Sequence, residues 1–189
     1  MKNINVKSIM IAIGVLGFVF TVTALHIAQT DYDPNQQLMS ELALGKHGSL
    51  MLLAFVSFSV AVFVAQNILA TYKNNWTVRI PLVIASFSLA GAGLFKLGDY
   101  TNLHVTLVAS AFFLIVMSMY LVPRLIPQFQ KRNPTTVCWA LGVGTAVSVA
   151  LGQSMLPIGI AQRLAAGCIL GWLLWLAAFH NNQMSKRNA

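Results

Sequence analysis

Residues 8–28 read SIMIAIGVLGFVFTVTALHIA, an apolar run with no carboxylate, lysine or arginine in it. About 20 apolar residues in helical form cross the roughly 30 Å of hydrocarbon in a bilayer. Lys2 and Lys7 precede the run as they would in a secretory signal, but the stretch is longer than the roughly 7–15 residues of a signal's apolar region. An uncleaved first membrane helix is expected. Working outward, five further runs of similar length stand at about 47–70, 79–97, 103–122, 137–156 and 159–179. Of the 189 residues, 57% are hydrophobic and 8% charged, against about 25% charged in a soluble domain. The expected fold is all-α: a polytopic membrane protein whose residues 1–189 form a single six-helix bundle. The longest connection, about 29–46, is too short for a soluble domain and holds no low-complexity tract.

Charge sets the expected orientation. Lys2, Lys7, Lys73, Arg79, Arg124, Lys131, Arg132, Lys186 and Arg187 fall at the termini and on the second and fourth connections. Lys46, Lys96 and Arg163 fall on the opposite side with all four acidic residues, Asp31, Asp33, Glu41 and Asp99. By the positive-inside rule both termini are cytoplasmic, in an inner membrane. The net charge of +8 does not point to nucleic acid, because the basic residues lie scattered at helix ends instead of forming one stripe with aromatics. Their expected partners are anionic membrane lipids. Cys138 and Cys168 sit inside apolar runs without metal or disulfide spacing and read as small core residues.

Lipid tails give helices no hydrophobic reason to associate, so small residues that allow close backbone approach mark the packing faces. Gly144, Ser148 and Gly152 repeat every four residues in the fifth run, Gly167 and Gly171 in the sixth, and Ser88 and Ala92 in the third. Gly14 and Gly17 thin one face of the first.

Basic residues on the cytoplasmic side are explained by orientation. The polar residues at the outer ends are not, and ionisable groups at such depths are candidates for a functional site. They comprise His26, Asp31 to Pro34, Ser40, Glu41, Lys46, His47, Lys96, Asp99, Asn102, His104, Gln153, Gln162 and Arg163. Each also has a structural role open to it. His26 would bond a terminal carbonyl. Ser40 would be the N-cap of a short interfacial helix closed by Gly45, with Glu41 favourable to its dipole and Ala43 standing where a complete capping box has Glu or Gln. Asp99 would cap the fourth helix, with Lys96 as its i,i+3 partner, and Arg163 would snorkel. His104 lies within the first turns of an apolar helix, where its ring must face protein or headgroups.

Standard catalytic signatures are absent: no HExxH, GxSxG, GxxxxGK[ST] or GxGxxG occurs. Lys96 is too near a helix end for a retinal lysine. The acids lie at the rim, away from the mid-membrane position a proton pump or ion-coupled carrier uses.

Tyr32-Asp33-Pro34 leading to Ser40-Glu41-Leu42, Asp99 with His104 opening the fourth helix, and Gly159-Ile160-Ala161-Gln162-Arg163-Leu164 opening a sixth with Trp172 and Trp175 together resemble a family of six-helix bacterial membrane proteins classed only as a domain of unknown function. The resemblance covers nearly the whole chain. Members often have Phe-Pro before the aspartate, where this chain has Leu97-Gly98. What the resemblance implies is that Ser40, Glu41, Asp99, His104, Gln162 and Arg163 belong together.

Two classes of function fit such a cluster. In the first it is a pocket that binds or processes a lipid headgroup or small polar molecule. Ser40, Glu41, Asn102, Gln162 and Arg163 would bind, Arg163 holding a phosphate or carboxylate, while His104 acts as acid or base and Asp99 orients its ring. No cofactor is expected. A zinc version would use His26, His47 and His104 with a water, loosely like membrane amidohydrolases of the ceramidase type but without their His-x-x-x-His pair, and a haem version would use two of the outer histidines. In the second class the protein is a non-enzymatic accessory or sensor subunit, and Asp99, His104 and Arg163 form a buried lock between the third, fourth and sixth helices.

Overall fold

The computed structural model describes residues 5–152 and 154–187; of the residues singled out above, Lys2 and Gln153 lie outside them. Among the described residues six helices are long and apolar enough to cross a membrane. They are α1 (Val6–Ala28), α2 (Met51–Ala70), α3 (Trp76–Leu94), α4 (Thr101–Leu125), α5 (Arg132–Leu151) and α6 (Ile158–Arg187). Inside lipid no water satisfies the backbone N–H and C=O groups, and an apolar run of about 20 residues satisfies them within itself as a helix.

The helix ends depart from the hydropathy boundaries where capping or propagation overrides apolarity. The third helix begins at Trp76 because the Asn75 side chain accepts from the Thr77 amide (3.0 Å). The fourth runs past Pro123 to Leu125, and Arg124 lies over the Tyr120 ring at 3.8 Å. The sixth continues as a polar helix through His180 to Arg187, held to the start of the first. The Asn5 amide donates to Asn181 Oδ1 (3.0 Å) and Ser8 Oγ to the Ala177 carbonyl (3.0 Å). Asn5 and the end of α6 therefore share one end of the bundle, the basic end. The 29–50 connection, the α3–α4 turn and the α5–α6 turn share the other.

Sequential helices pack as neighbours, and α6 returns against α1 and also touches α2, closing a ring. Leu82, Leu89, Ile115, Met119, Trp172 and Phe58 are fully enclosed in its core. A Cβ at Gly14 would lie 2.6 Å from the Ser57 carbonyl oxygen, and one at Gly144 2.9 Å from Cys168 Sγ. Those glycines therefore bring α1 onto α2 and α5 onto α6. Gly167 and Gly171 differ from expectation: a Cβ at either meets nothing within 4 Å, so the small-residue spacing in α6 does not mark a contact within this chain.

The 29–50 connection folds over its end of the bundle as a strap. It carries a 3-10 turn at Met39–Ala43, whose Met39, Ser40 and Leu42 are buried, and a second at Gly48–Leu50 that leads into α2. Gln29 pins it by donating to the carbonyls of Leu42 and Lys46 (both 2.9 Å). In the α3–α4 turn Gly98 takes φ 97°, a conformation closed to the proline ring. This chain thus makes a turn that Phe-Pro at the same place would not.

Candidate functional site

The first turn of α6 and the strap are built for one another. Gly159 and Arg163, four residues apart, share a helix face. The Gly159 amide donates to the Asn35 carbonyl (3.0 Å). Arg163 Nη1 donates to the carbonyls of Pro34, Gln37 (3.3 Å) and Gly159 (2.9 Å), and Nη2 to the Tyr32 hydroxyl. Gln162 Oε1 accepts from the Met39 amide (2.6 Å). A side chain at Gly159 would run into the carbonyl oxygens of Pro34, Asn35 and Gln37 at once, so only glycine lets the strap lie this close. The free amides of a helix N-terminus and a guanidinium both attract oxygen dipoles. Here the strap's own carbonyls supply them.

Arg163 accordingly neither snorkels nor pairs with Asp99 or Glu41, which corrects the expectation of an acidic partner. Glu41 is engaged in capping. Its Oε1 accepts from the Leu38 amide (2.8 Å) and its Oε2 from Gln37 Nε2 (3.4 Å), while its own amide donates to the Leu38 carbonyl (3.0 Å). A carboxylate at the third helical position reaches back to the cap residue, so Leu38 is the cap and Ser40 lies inside the turn, contrary to the expected N-cap at Ser40. Tyr32 donates to the Leu38 carbonyl (3.0 Å). Burial raises the pKa of its hydroxyl above the ordinary value of 10.0, outweighing the lowering by Arg163.

Asp99 sits apart from this arrangement. It pairs with Lys96 at 3.2 Å, both side chains being more than half exposed (59% and 53%), and such a pair contributes about 0–1 kcal/mol. It does not cap α4 either: Tyr100 holds that position, and Thr101 Oγ1 accepts from the Gly98 amide (3.1 Å). Asn102 is exposed on the first turn of α4.

His104 is 1% exposed. Its Nδ1 lies 2.8 Å from the Ala92 carbonyl oxygen and 3.0 Å from that of Phe95, and the Phe55 ring meets it edge-on at 5.4 Å. Two acceptors at Nδ1 mean that this nitrogen carries the proton. The carbonyls freed at the end of α3, and not Asp99, orient the ring. Nε2 is buried, and among the described residues it has no hydrogen-bond partner. His26 packs on the Tyr32 ring at 5.5 Å, and His47 is exposed in a left-handed conformation. Among the described residues no three His, Cys, Asp or Glu side chains are placed to hold a metal, so the three-histidine set is not assembled. Asp99, His104 and Arg163 form no single network: His104 joins α4 to α3, and Arg163 joins α6 to the strap.

Three of the residues singled out in the sequence do meet, at a cleft of about 470 Å³ between α4, α5, α6 and the strap. Ser40, His104 and Gln162 border it at the strap end. Val108, Phe112 and Val116 of α4 and Ala146 and Val149 of α5 are among its apolar walls. From His104 to Val116 it follows α4 for about 18 Å at 1.5 Å per residue. Among the described residues none that borders it is charged. These walls leave no mark in the sequence, because an apolar residue facing a cleft has the same signature as one facing lipid. The carbonyls of Pro34, Gln37, Ala92 and Phe95 leave none either, since every residue has one.

A family model matches residues 12–178; its description is protein of unknown function (DUF998). No curated protein and no solved structure matches the chain.

Proposed function

The chain belongs to the DUF998 family of proteins of unknown function, and we propose that it binds an amphipathic, lipid-like molecule in the cleft between α4, α5 and α6. The cleft itself supports this reading: about 470 Å³ with apolar walls and the polar side chains of Ser40, His104 and Gln162 at one end. Ligand pockets have this size and this pattern, mostly apolar with a few convergent polar groups. The tail of the molecule would lie along Val108, Phe112 and Val116 and its polar group beneath the strap. Arg163 and Glu41 then serve as the strap's fastening and not as ligand contacts, because their hydrogen bonds are spent on Pro34, Gln37 and Leu38.

The test is a diazirine-bearing alkyl probe, photolysed with the protein in vesicles and mapped by peptide mass spectrometry. Labelling is expected between Val105 and Val116 and to be lost in Ala146→Trp, where the indole fills the cleft. Labelling of lipid-facing residues alone, unchanged by Ala146→Trp, would remove the reading.

The alternative, an accessory membrane subunit whose polar residues lock the fold, draws support from Arg163 alone, whose bonds to the strap are those of a structural fastening. We further propose that the protein lies in an inner membrane with both termini cytoplasmic, from the nine basic residues that the sequence assigns to one side. The strap and the polar end of the cleft then face outward.

A further inference from the structure

The chemical class of the polar group follows from the hydrogen-bonding state of His104, given that the cleft binds an amphiphile as proposed above. Nδ1 is committed to the carbonyls of Ala92 and Phe95, and a carbonyl only accepts, so Nδ1 donates. In the neutral ring the other nitrogen then presents a lone pair. That lone pair is buried in a ring that is 1% exposed and has no partner among the described residues. An unsatisfied buried acceptor costs about 1–3 kcal/mol, a cost that a donor reaching it from the cleft would remove. The Gln162 side-chain oxygen, which accepts from the Met39 amide, is itself an acceptor and cannot satisfy that lone pair. Ser40, 3% exposed, brings a hydroxyl to the same end of the cleft.

An anionic head finds nothing there. None of the described residues bordering the cleft is charged, and the nearby Arg163 is held by the strap carbonyls and Tyr32. A buried carboxylate or phosphate without a cation is strongly disfavoured, and a lone pair at Nε2 would repel it. We infer that the cleft selects a long-chain molecule whose head is an uncharged hydroxyl, donating to His104 Nε2, over the corresponding carboxylate or phosphate.

The inference is tested on the full chain in an amine-oxide detergent, whose head has no hydroxyl to compete. Dodecanol, dodecanoate and dodecyl phosphate are each titrated in, and bound probe is counted by native mass spectrometry. Dodecanol is expected to bind about tenfold or more tightly than either anion, the margin that burying an unpaired charge commands. In His104→Asn the amide N–H can replace the Nδ1 donor toward α3, while nothing stands at the Nε2 position. This variant is expected to keep its melting temperature and lose most of its affinity for dodecanol. His104→Gln, whose carbonyl reaches toward the Nε2 position, is expected to recover part of it. The comparison of the three probes on the unaltered protein needs no variant to fold. Equal binding of all three, abolished by Ala146→Trp, would overturn the hydroxyl inference and leave the cleft as a binding site. Binding of all three that Ala146→Trp does not touch would overturn both.

Discussion

The Arg163 guanidinium donates to the Tyr32 hydroxyl and also lies over the ring that carries it, 5.5 Å from the centroid. One side chain of α6 thereby holds the strap by its aromatic face, its phenol and its backbone carbonyls together, with no carboxylate in the arrangement. Lysine, a single point charge, cannot make the forked contact.

Arg163→Ala is therefore expected to loosen the strap. Hydrogen bonds from a charged donor contribute about 1.5–3 kcal/mol each when buried, but Arg163 is partly exposed and water will replace some of them. A loss of about 2 kcal/mol in thermal unfolding is expected. Asp99→Asn added to it should restore nothing, because Asp99 pairs with Lys96. Rescue by Asp99→Asn would show an ion pair and contradict the carbonyl cradle.

Gly159 and Gly171, two of the three glycines of α6, should respond in opposite directions. Gly159→Ala forces a methyl among the carbonyl oxygens of Pro34, Asn35 and Gln37, and overpacking of this kind costs about 1–3 kcal/mol. Gly171→Ala meets open space and gains helix propensity worth up to about 1 kcal/mol. Melting temperatures of the two variants check the order, and a destabilised Gly171→Ala would reveal a neighbour packed on that face.

Alkaline pH should weaken the strap through Tyr32. Its folded-state pKa is raised above 10.0, chiefly by burial. Below pH 10 both folded and unfolded states are protonated and the contribution is complete. As pH climbs past 10, the unfolded chain ionises while the folded one does not, so stability falls until the folded pKa is passed. Unfolding measured across this window should show a slope that Tyr32→Phe reduces. An unchanged slope in Tyr32→Phe would assign it to other groups.

The proposed orientation is checked by a reporter fused after Ala189, expected to read as cytoplasmic. An external readout would place the strap and the polar end of the cleft on the inner side.

Hydropathy alone determined that there are six spans, because an unbroken apolar run of about 20 residues satisfies its backbone in lipid as a helix, a barrel strand being about half that length. The gathering of nine basic residues at one end and four acids at the other is likewise written in the chain. The Gly159 to Arg163 stretch stood out through the family resemblance, and what it bonds to did not. Ser40, Gln162 and His104 were legible as polar groups in costly places, and the structure brings them to one cleft. The pairing of Asp99 with Lys96 was legible as an i,i+3 spacing. The tertiary structure alone decided the partners of Arg163, which turned to the strap, because backbone carbonyls compete with carboxylates for a cation and leave no mark in a sequence. His104 was likewise claimed by the freed carbonyls at the end of α3, and Gly167 and Gly171 were left without a neighbour. The cleft belongs to the same class: Phe112 or Ala146 would look the same in the chain facing lipid, and only the packing of α4 against α5 and α6 makes them walls.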